Sequence, residues 1–482
     1  MAIDTAPDPR RWKALAVLGV AYLMVVLDVS IVNVALPSIQ EDLDFTVENL
    51  QWVVSGYALT FGGFLLLGGR MGDLLGRRRL FMIGLALFAA SSLLCGLSVS
   101  SGMLIAFRLI QGAAGAILSP SVFSITLVTF REGAERNKAL GILGAIAGSG
   151  AAIGVLLGGI LTEYVGWEWI FFVNVPIGLA ALALVPRYVR ESRAEGLARH
   201  FDAAGAVTVT ASLMLFVYGL TQSTQAGWTS PKTIGPLISS AVLMVAFLVI
   251  ESRSQSPLVP LSFFKRRTLA GANLIGFGLG TTIFGMFFLL SLYMQIVLGF
   301  SALETGVGYL AVALTAVVSS GIAQALVTRL GVKPVLATGM TLLGVGLVFF
   351  TQVSVDGSYV SDLLPGFLLV GVGLGFSFVP VSIAALAGVQ GREAGLASGL
   401  INTSQQIGGA LGLAILTTVS TTRTDNLTPP GRLPSLEALT EGYSLAFWVA
   451  AGFAALSLLT TLLILKREDL VTAPEPAESP AS

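Results

Sequence analysis

The chain of 482 residues is 54% hydrophobic and 11% charged, with a mean hydropathy of +0.85. A soluble domain carries roughly 25% charged residues, so composition alone places this chain in a bilayer. Its 27 Lys and Arg balance 27 Asp and Glu, which leaves no basic footprint for a nucleic-acid partner. One cysteine (Cys95, in an apolar stretch) and one histidine (His200, in the charged run YVRESRAEGLARHFD) leave no basis for a disulfide framework, a zinc centre or a Ser-His-Asp triad.

Arg10, Arg11 and Lys13 lead straight into an apolar span too long for the core of a cleavable signal. Stretches of the length needed to cross a bilayer then recur along the chain. They fall near 14–37, 50–71, 80–99, 103–129, 138–162, 168–187, 203–222, 232–250, 269–297, 305–328, 334–352, 360–387, 396–420 and 443–465. The expected fold is therefore all-α and membrane-embedded, with about fourteen transmembrane helices and both termini on one side.

Loop charge orients the chain. Glu41, Asp42, Asp44 and Glu48 follow the first span without a basic residue. Alternate connections hold Arg77, Arg78 and Arg79, then Arg131, Arg136 and Lys138, then Arg187, Arg190, Arg193 and Arg199. Lys232, Arg423 and Arg432 fall on the opposite face and Arg108 inside a span; the other basic residues share one side, which the positive-inside rule makes cytoplasmic.

The sequence repeats. At a shift of 255, Gln40, Leu43, Phe45 and Thr46 meet Gln295, Leu298, Phe300 and Ser301, and Leu75, Gly76 and Arg78 meet Leu330, Gly331 and Lys333. At a shift of 260, Phe107, Gly115 and Pro120 meet Phe367, Gly375 and Pro380. This partitions the chain into a six-helix bundle at 1–190, an inserted helix pair with linkers at 191–267, a second six-helix bundle at 268–466 and a disordered Pro- and Ala-rich tail at 467–482. Parallel six-helix repeats are the plan of transporters whose bundles rock about a central site.

Three charges escape duplication. Asp28 meets Ile283, Arg108 meets Leu368, and Asp73 meets Thr328, so ion coupling is expected in the first half. A mid-membrane carboxylate is costly and points to function, and a buried arginine needs a partner or a water-filled cavity. In the loop GGRMGDLLGRRRL, Asp73 is placed near a helix N-terminus, where the macrodipole favours an anion that Arg77 and Arg78 could pair with and release.

The pattern G-x-x-x-D-x-x-G-R-R, filled by Gly69, Asp73, Gly76, Arg77 and Arg78, resembles the loop motif of the major facilitator superfamily. LDVSIVNVALPSI, RLIQGAAGAILSP at Arg108, WEWIFFVNVPIG and GLASGLINTSQQIGG resemble motifs of its fourteen-helix drug:proton antiporters. The resemblance implies proton coupling by Asp28 and Arg108 and a conformational switch in the loop motif. GAIAGSGAAIGVLLGG resembles the antiporter glycine helix through Gly150, Gly154, Gly158 and Gly159, with Gly144 and Gly148 ahead of them. Leu74 replaces a basic residue of the loop motif, and Val155 replaces the usual proline of the fifth helix. Asn33, Gln111, Asn402, Gln405 and Gln406 are assigned to the substrate cavity, the last three sharing a helix face. Glu304, Asp356 and Asp362 lie near the outer boundary as solvated carboxylates.

The sequence thus implies a proton-coupled exporter, not an enzyme, in a bacterial cytoplasmic membrane. It would act as a monomer on amphiphilic small molecules such as dyes, antibiotics or a secondary metabolite. The proton gradient would be its energy source, and no cofactor is expected. A proton symporter importing a nutrient keeps the fold with the direction reversed, and a non-transporting sensor or channel is the alternative of another class.

Overall fold

A computed structural model describes residues 10–130, 134–192, 202–254, 257–258, 265–386 and 394–465. His200, the loop arginines Arg131, Arg193, Arg199 and Arg392, and the tail 467–482 lie outside these residues, as does the side chain of Asp73. The first bundle comprises α1 (Arg11–Asp42), α2 (Val47–Leu75), α3 (Arg77–Gly96), α4 (Ser101–Thr129), α5 (Ala134–Tyr164), α6 (Trp169–Phe172) and α7 (Asn174–Tyr188). Helices α8 (Ala203–Ala226) and α9 (Pro231–Arg253) form the inserted pair. The second bundle comprises α10 (Arg267–Leu292), α11 (Ala302–Leu330), α12 (Val332–Phe350), α13 (Leu364–Leu386), α14 (Ala394–Leu427) and α15 (Leu436–Leu463). Helices satisfy their backbone groups internally, which is what a bilayer demands of a spanning segment.

Among the described residues, eleven spans are long and apolar enough to cross a membrane, and α2, α5 and α14 add three long helices richer in glycine or polar residues. The sixth crossing differs from the continuous span expected at 168–187: it is broken at Val173 into α6 and α7. Pro176 has no N–H to give the Phe172 carbonyl, so the i→i−4 ladder opens there. At the other end of the chain, α14 runs to Leu427 and α15 starts at Leu436, each seven residues beyond the predicted limit. These extensions are polar, held by an Arg423–Glu441 ion pair and by Ser435, whose hydroxyl accepts the Ala438 N–H.

The repeat survives in backbone detail. Gly76 links α2 to α3 at φ +112°, and its repeat partner Gly331 links α11 to α12 at φ +86°, where a side chain would be strained. Thr46 caps α2 as Ser301 caps α11. Pro120 and Pro380 both sit inside their helices, α4 and α13.

The side on which α1 begins is here termed the terminal face, and the side on which α1 ends is the far face. The bundles meet along two seams. In one, α2 packs on α14, with Gly62 so close that a Cβ would lie 3.0 Å from that of Gln406. In the other, α5 packs on α11; a Cβ on Gly159 would stand 2.9 Å from the Ala302 carbonyl oxygen, and one on Gly306 would stand 2.6 Å from that of Val155. A π-helical turn, Tyr293–Val297, carries Gln295 across the far face, where its Nε2 donates to the Val34 carbonyl at 2.9 Å. Helix α8 lies against both α2 and α14, while α9 packs chiefly on α8.

Candidate functional site: a buried ion pair in one bundle

Helix α1 carries Asp28 into the interior of the first bundle, and α4 brings Arg108 to meet it. Both side chains are essentially inaccessible, at 0% and 1% exposure. Arg108 Nη1 donates to Asp28 Oδ2 at 2.5 Å and to Gln111 Oε1 at 2.8 Å, and Nε donates to the Val53 carbonyl of α2 at 2.8 Å. The guanidinium carbon also stands 4.4 Å from the centre of the Tyr57 ring, within range of a cation–π attraction.

The other carboxylate oxygen, Asp28 Oδ1, accepts from two amides: Gln111 Nε2 at 2.8 Å and Asn174 Nδ2 at 3.2 Å. Gln111 stands one helical turn after Arg108, so its amide bridges the pair, accepting from the arginine and donating to the aspartate. Asn174 is the first residue of α7, directly after the break at Val173. Its Nδ2 also donates to Ser92 Oγ at 3.0 Å, and Ser92 donates to the Phe171 carbonyl at 2.8 Å, among the carbonyls beside the break. A buried ion pair is tolerable only when its remaining lone pairs and protons are met in this way.

Among the described residues, the second bundle has no such buried ion pair. Ile283 packs against its apolar core, and Leu368 is 44% exposed on the outside of α13. Among its buried polar groups is Tyr309, which donates to the Phe287 carbonyl at 2.7 Å and accepts from Ser291 at 2.8 Å beside Phe367.

Two residues expected to line the cavity are buried among protein groups. Gln111 is fully buried, drawn in because its amide completes the ion pair. Asn33 is 7% exposed and folds back on α1, donating to the Val29 carbonyl at 3.0 Å. Gln405 and Gln406 do not share one facing surface: Gln405 approaches Gly276 of α10, whereas Gln406 meets Gly62 of α2, because adjacent residues diverge by about 100° around a helix. Asn402 is exposed. A cavity of about 1140 Å³ opens at the far face between the bundles, lined in part by Gln40, Glu41, Asp44, Thr162, Glu163 and Gln295.

The glycines of α5 are contact points. Cβ atoms at Gly150 and Gly158 would lie 2.8 Å from Val26 Cγ1 and 2.7 Å from the Ile31 carbonyl oxygen, so both face α1, as does Gly154 against Ser30. Gly159 and Val155 face α11. At the terminal face, the backbone amides of Arg78 and Arg79 donate to the carboxylate of Glu191 at 3.1 Å each, and a Cβ on Gly76 would stand 2.9 Å from Glu191 Oε1. Among the described residues, the anion at this helix N-terminus is Glu191, which the sequence alone does not point to. Gly69 sits opposite Pro120 of α4. Asn174 was likewise not singled out, although it lies in the stretch WEWIFFVNVPIG.

Two helical bundles of shared pattern, one holding an ion pair at mid-span and the other apolar there, define a secondary transporter. The chain belongs to the Major Facilitator Superfamily, whose family model matches residues 18–413. It is 38% identical over 459 residues to a puromycin resistance protein of Streptomyces alboniger, covering 94% of this chain and 90% of that one. It is 37% identical over 463 residues to a cephamycin export protein of Amycolatopsis lactamdurans, covering 95% and 94%. Among solved structures, a bacterial homologue of the human lysosomal transporter Spinster superposes with a TM-score of 0.69 at 15% identity, over 98% of this chain and 100% of that one, a likeness of fold.

Proposed function

We propose that this protein exports amphiphilic small molecules, antibiotics or related secondary metabolites among them, in exchange for protons. The observation that carries the reading is the Asp28–Arg108 pair, buried in the first bundle with no counterpart among the described residues of the second. Asp28 is the proton carrier: a carboxyl at this depth is either paired with Arg108 or protonated, and the two states differ by one net charge in the bundle interior. Arg108 holds the empty carboxylate, and protonation weakens that hold. The relatives named for puromycin resistance and cephamycin export support export over uptake and a small organic substrate.

The terminal face is assigned to the cytoplasm of a bacterial cell, because Arg77, Arg78, Arg79, Arg136, Lys138, Arg187 and Arg190 gather there. On this reading the 1–190 and 268–466 units rock against each other, the loop from Gly69 to Arg78 with Glu191 forms a latch between states, and a single chain in the bilayer suffices. Everted membrane vesicles loaded with a pH dye, screened against a panel of antibiotics and dyes, test the proposal. Substrate-dependent proton release that vanishes in Asp28→Asn is expected. Release that persists in Asp28→Asn would sink the assignment, and proton movement of the opposite sign would make the protein a symporter.

A further inference from the structure

Asp28 is surrounded by donors. Oδ2 faces Arg108 Nη1, and Oδ1 faces Gln111 Nε2 and Asn174 Nδ2. That ring suits a carboxylate and does not suit a carboxylic acid, whose new O–H needs an acceptor. The proton belongs on Oδ1, since Oδ2 is engaged by the guanidinium. Gln111 cannot offer its oxygen there, because Oε1 is held by Arg108 Nη1.

Asn174 can. It is 1% exposed, and its Oδ1 is buried with no hydrogen-bond partner. Buried carbonyl oxygens are rarely left in that condition without a reason. Half a turn of the amide about χ2 exchanges Nδ2 for Oδ1 at nearly the same position. The unused oxygen then accepts the Asp28 O–H and faces Ser92 as well.

We propose that Asn174 reads the protonation state of Asp28 by turning its amide. This rests on Asp28 being the proton carrier. With Asp28 ionised, Asn174 Nδ2 donates to Asp28 and to Ser92, and the Ser92 hydroxyl is left to hold the Phe171 carbonyl. With Asp28 protonated, Asn174 Oδ1 accepts from Asp28 and from Ser92, so the Ser92 hydroxyl swings away from Phe171. The carbonyl released lies beside the break at Val173, between α6 and α7, and a proton on α1 is thereby felt as a loosened joint in the sixth crossing. Among the described residues, the titratable or charged groups that act on Asp28 are Tyr57 of α2, Cys95 of α3 and Arg108 of α4, with none from α5, α6, α7 or α10. The amide is thus the group that must change partner when the proton arrives.

The test is pH-jump infrared difference spectroscopy on the protein in lipid vesicles, with wild type, Asp28→Asn, Asn174→Leu and Ser92→Ala compared. On acidification, wild type should gain a protonated-carboxyl band that Asp28→Asn lacks, together with a shifted side-chain amide band that both Asp28→Asn and Asn174→Leu lack. Ser92→Ala should keep both bands, yet lose about tenfold in maximal transport rate, as loss of one hydrogen bond in a switching step implies. An Asp28 carboxyl band without any amide shift, or an amide shift that survives in Asn174→Leu, would overturn the role of Asn174 and leave the proton carrier standing. Absence of any carboxyl band that depends on Asp28 would overturn both.

Discussion

Replacing Arg108 by methionine removes the counter-ion of a buried carboxylate while keeping most of the side-chain volume. Some of the cost does not depend on pH: the bonds to Gln111 and the Val53 carbonyl, and the attraction to the Tyr57 ring, are lost at every pH. The charge part does depend on it. Asp28 without a partner will take a proton rather than remain an uncompensated buried charge. Neutralising a carboxyl whose unfolded pKa is about 3.9 costs ~4 kcal/mol at pH 7 and ~1.5 kcal/mol at pH 5. A group neutral in the folded state but ionised in the unfolded one contributes stability at low pH that is lost as pH rises. The double variant Asp28→Asn/Arg108→Met carries no such term and should therefore exceed Arg108→Met in stability by up to about those amounts. Unfolding in mixed detergent micelles at the two pH values, compared for the single and the double variant, measures the difference. A gap that is the same at pH 5 and pH 7, or a double variant less stable than the single at both, would refute the reasoning that the charge pair sets the cost.

Gly76→Ala places a Cβ at φ +112° and 2.9 Å from Glu191 Oε1; a loss of about 1–2 kcal/mol in thermal or detergent stability is expected from the backbone alone, with Glu191→Gln milder. Gly158→Leu should push α5 off the Ile31 carbonyl of α1, and Gly159→Val should hold α5 away from Ala302 of α11. In the second case, cysteine cross-linking across the far face should drop while the chain remains inserted. Asp425, at the far end of α14, has its carboxyl pKa raised by burial first and by the nearby charge of Glu48 second. Closure of the far face should be favoured at acidic pH and should weaken as pH rises through that raised value. Spin-label distances between the ends of α2 and α14 should lose this dependence in Asp425→Asn.

The fold was legible because each physical requirement left a mark in the residues. Bilayer thickness set the fourteen apolar runs, and the duplicated Gly76/Gly331 and Pro120/Pro380 survived as backbone geometry. Legibility failed where partners are distant in sequence. Asp28 and Arg108 stood out as costly charges, but nothing in their spacing linked them to Asn174, which reaches Asp28 from the end of another crossing. Gln111 was visible as a polar residue within a span; that its amide faces an arginine one turn away is a matter of rotamer. Glu191 looked like one more loop carboxylate, because its role depends on where α7 ends relative to the start of α3. One local signal was simply missed. Ser301-Ala-Leu-Glu304 is a capping box, and Glu304, an exposed carboxylate as expected, also accepts the Ser301 N–H at 2.9 Å.

The inserted pair gives the molecule two unlike flanks. On one, α8 lies over the α2–α14 seam, fastened by a bond from Gln51 Nε2 to Thr221 Oγ1 and by the seat of Thr210 against Gly63, with α9 outside it. On the other, α5 and α11 meet with no described helix laid over them, and Leu314, Val317, Val318 and Ile322 of α11 are exposed. Among the described residues, the seam between the two bundles is thus open to acyl chains on the α5–α11 flank and covered on the α2–α14 flank. A molecule held in the lipid therefore meets a covered seam on one flank of the protein and a seam left uncovered by the described residues on the other, so the two extra crossings make the flanks unlike.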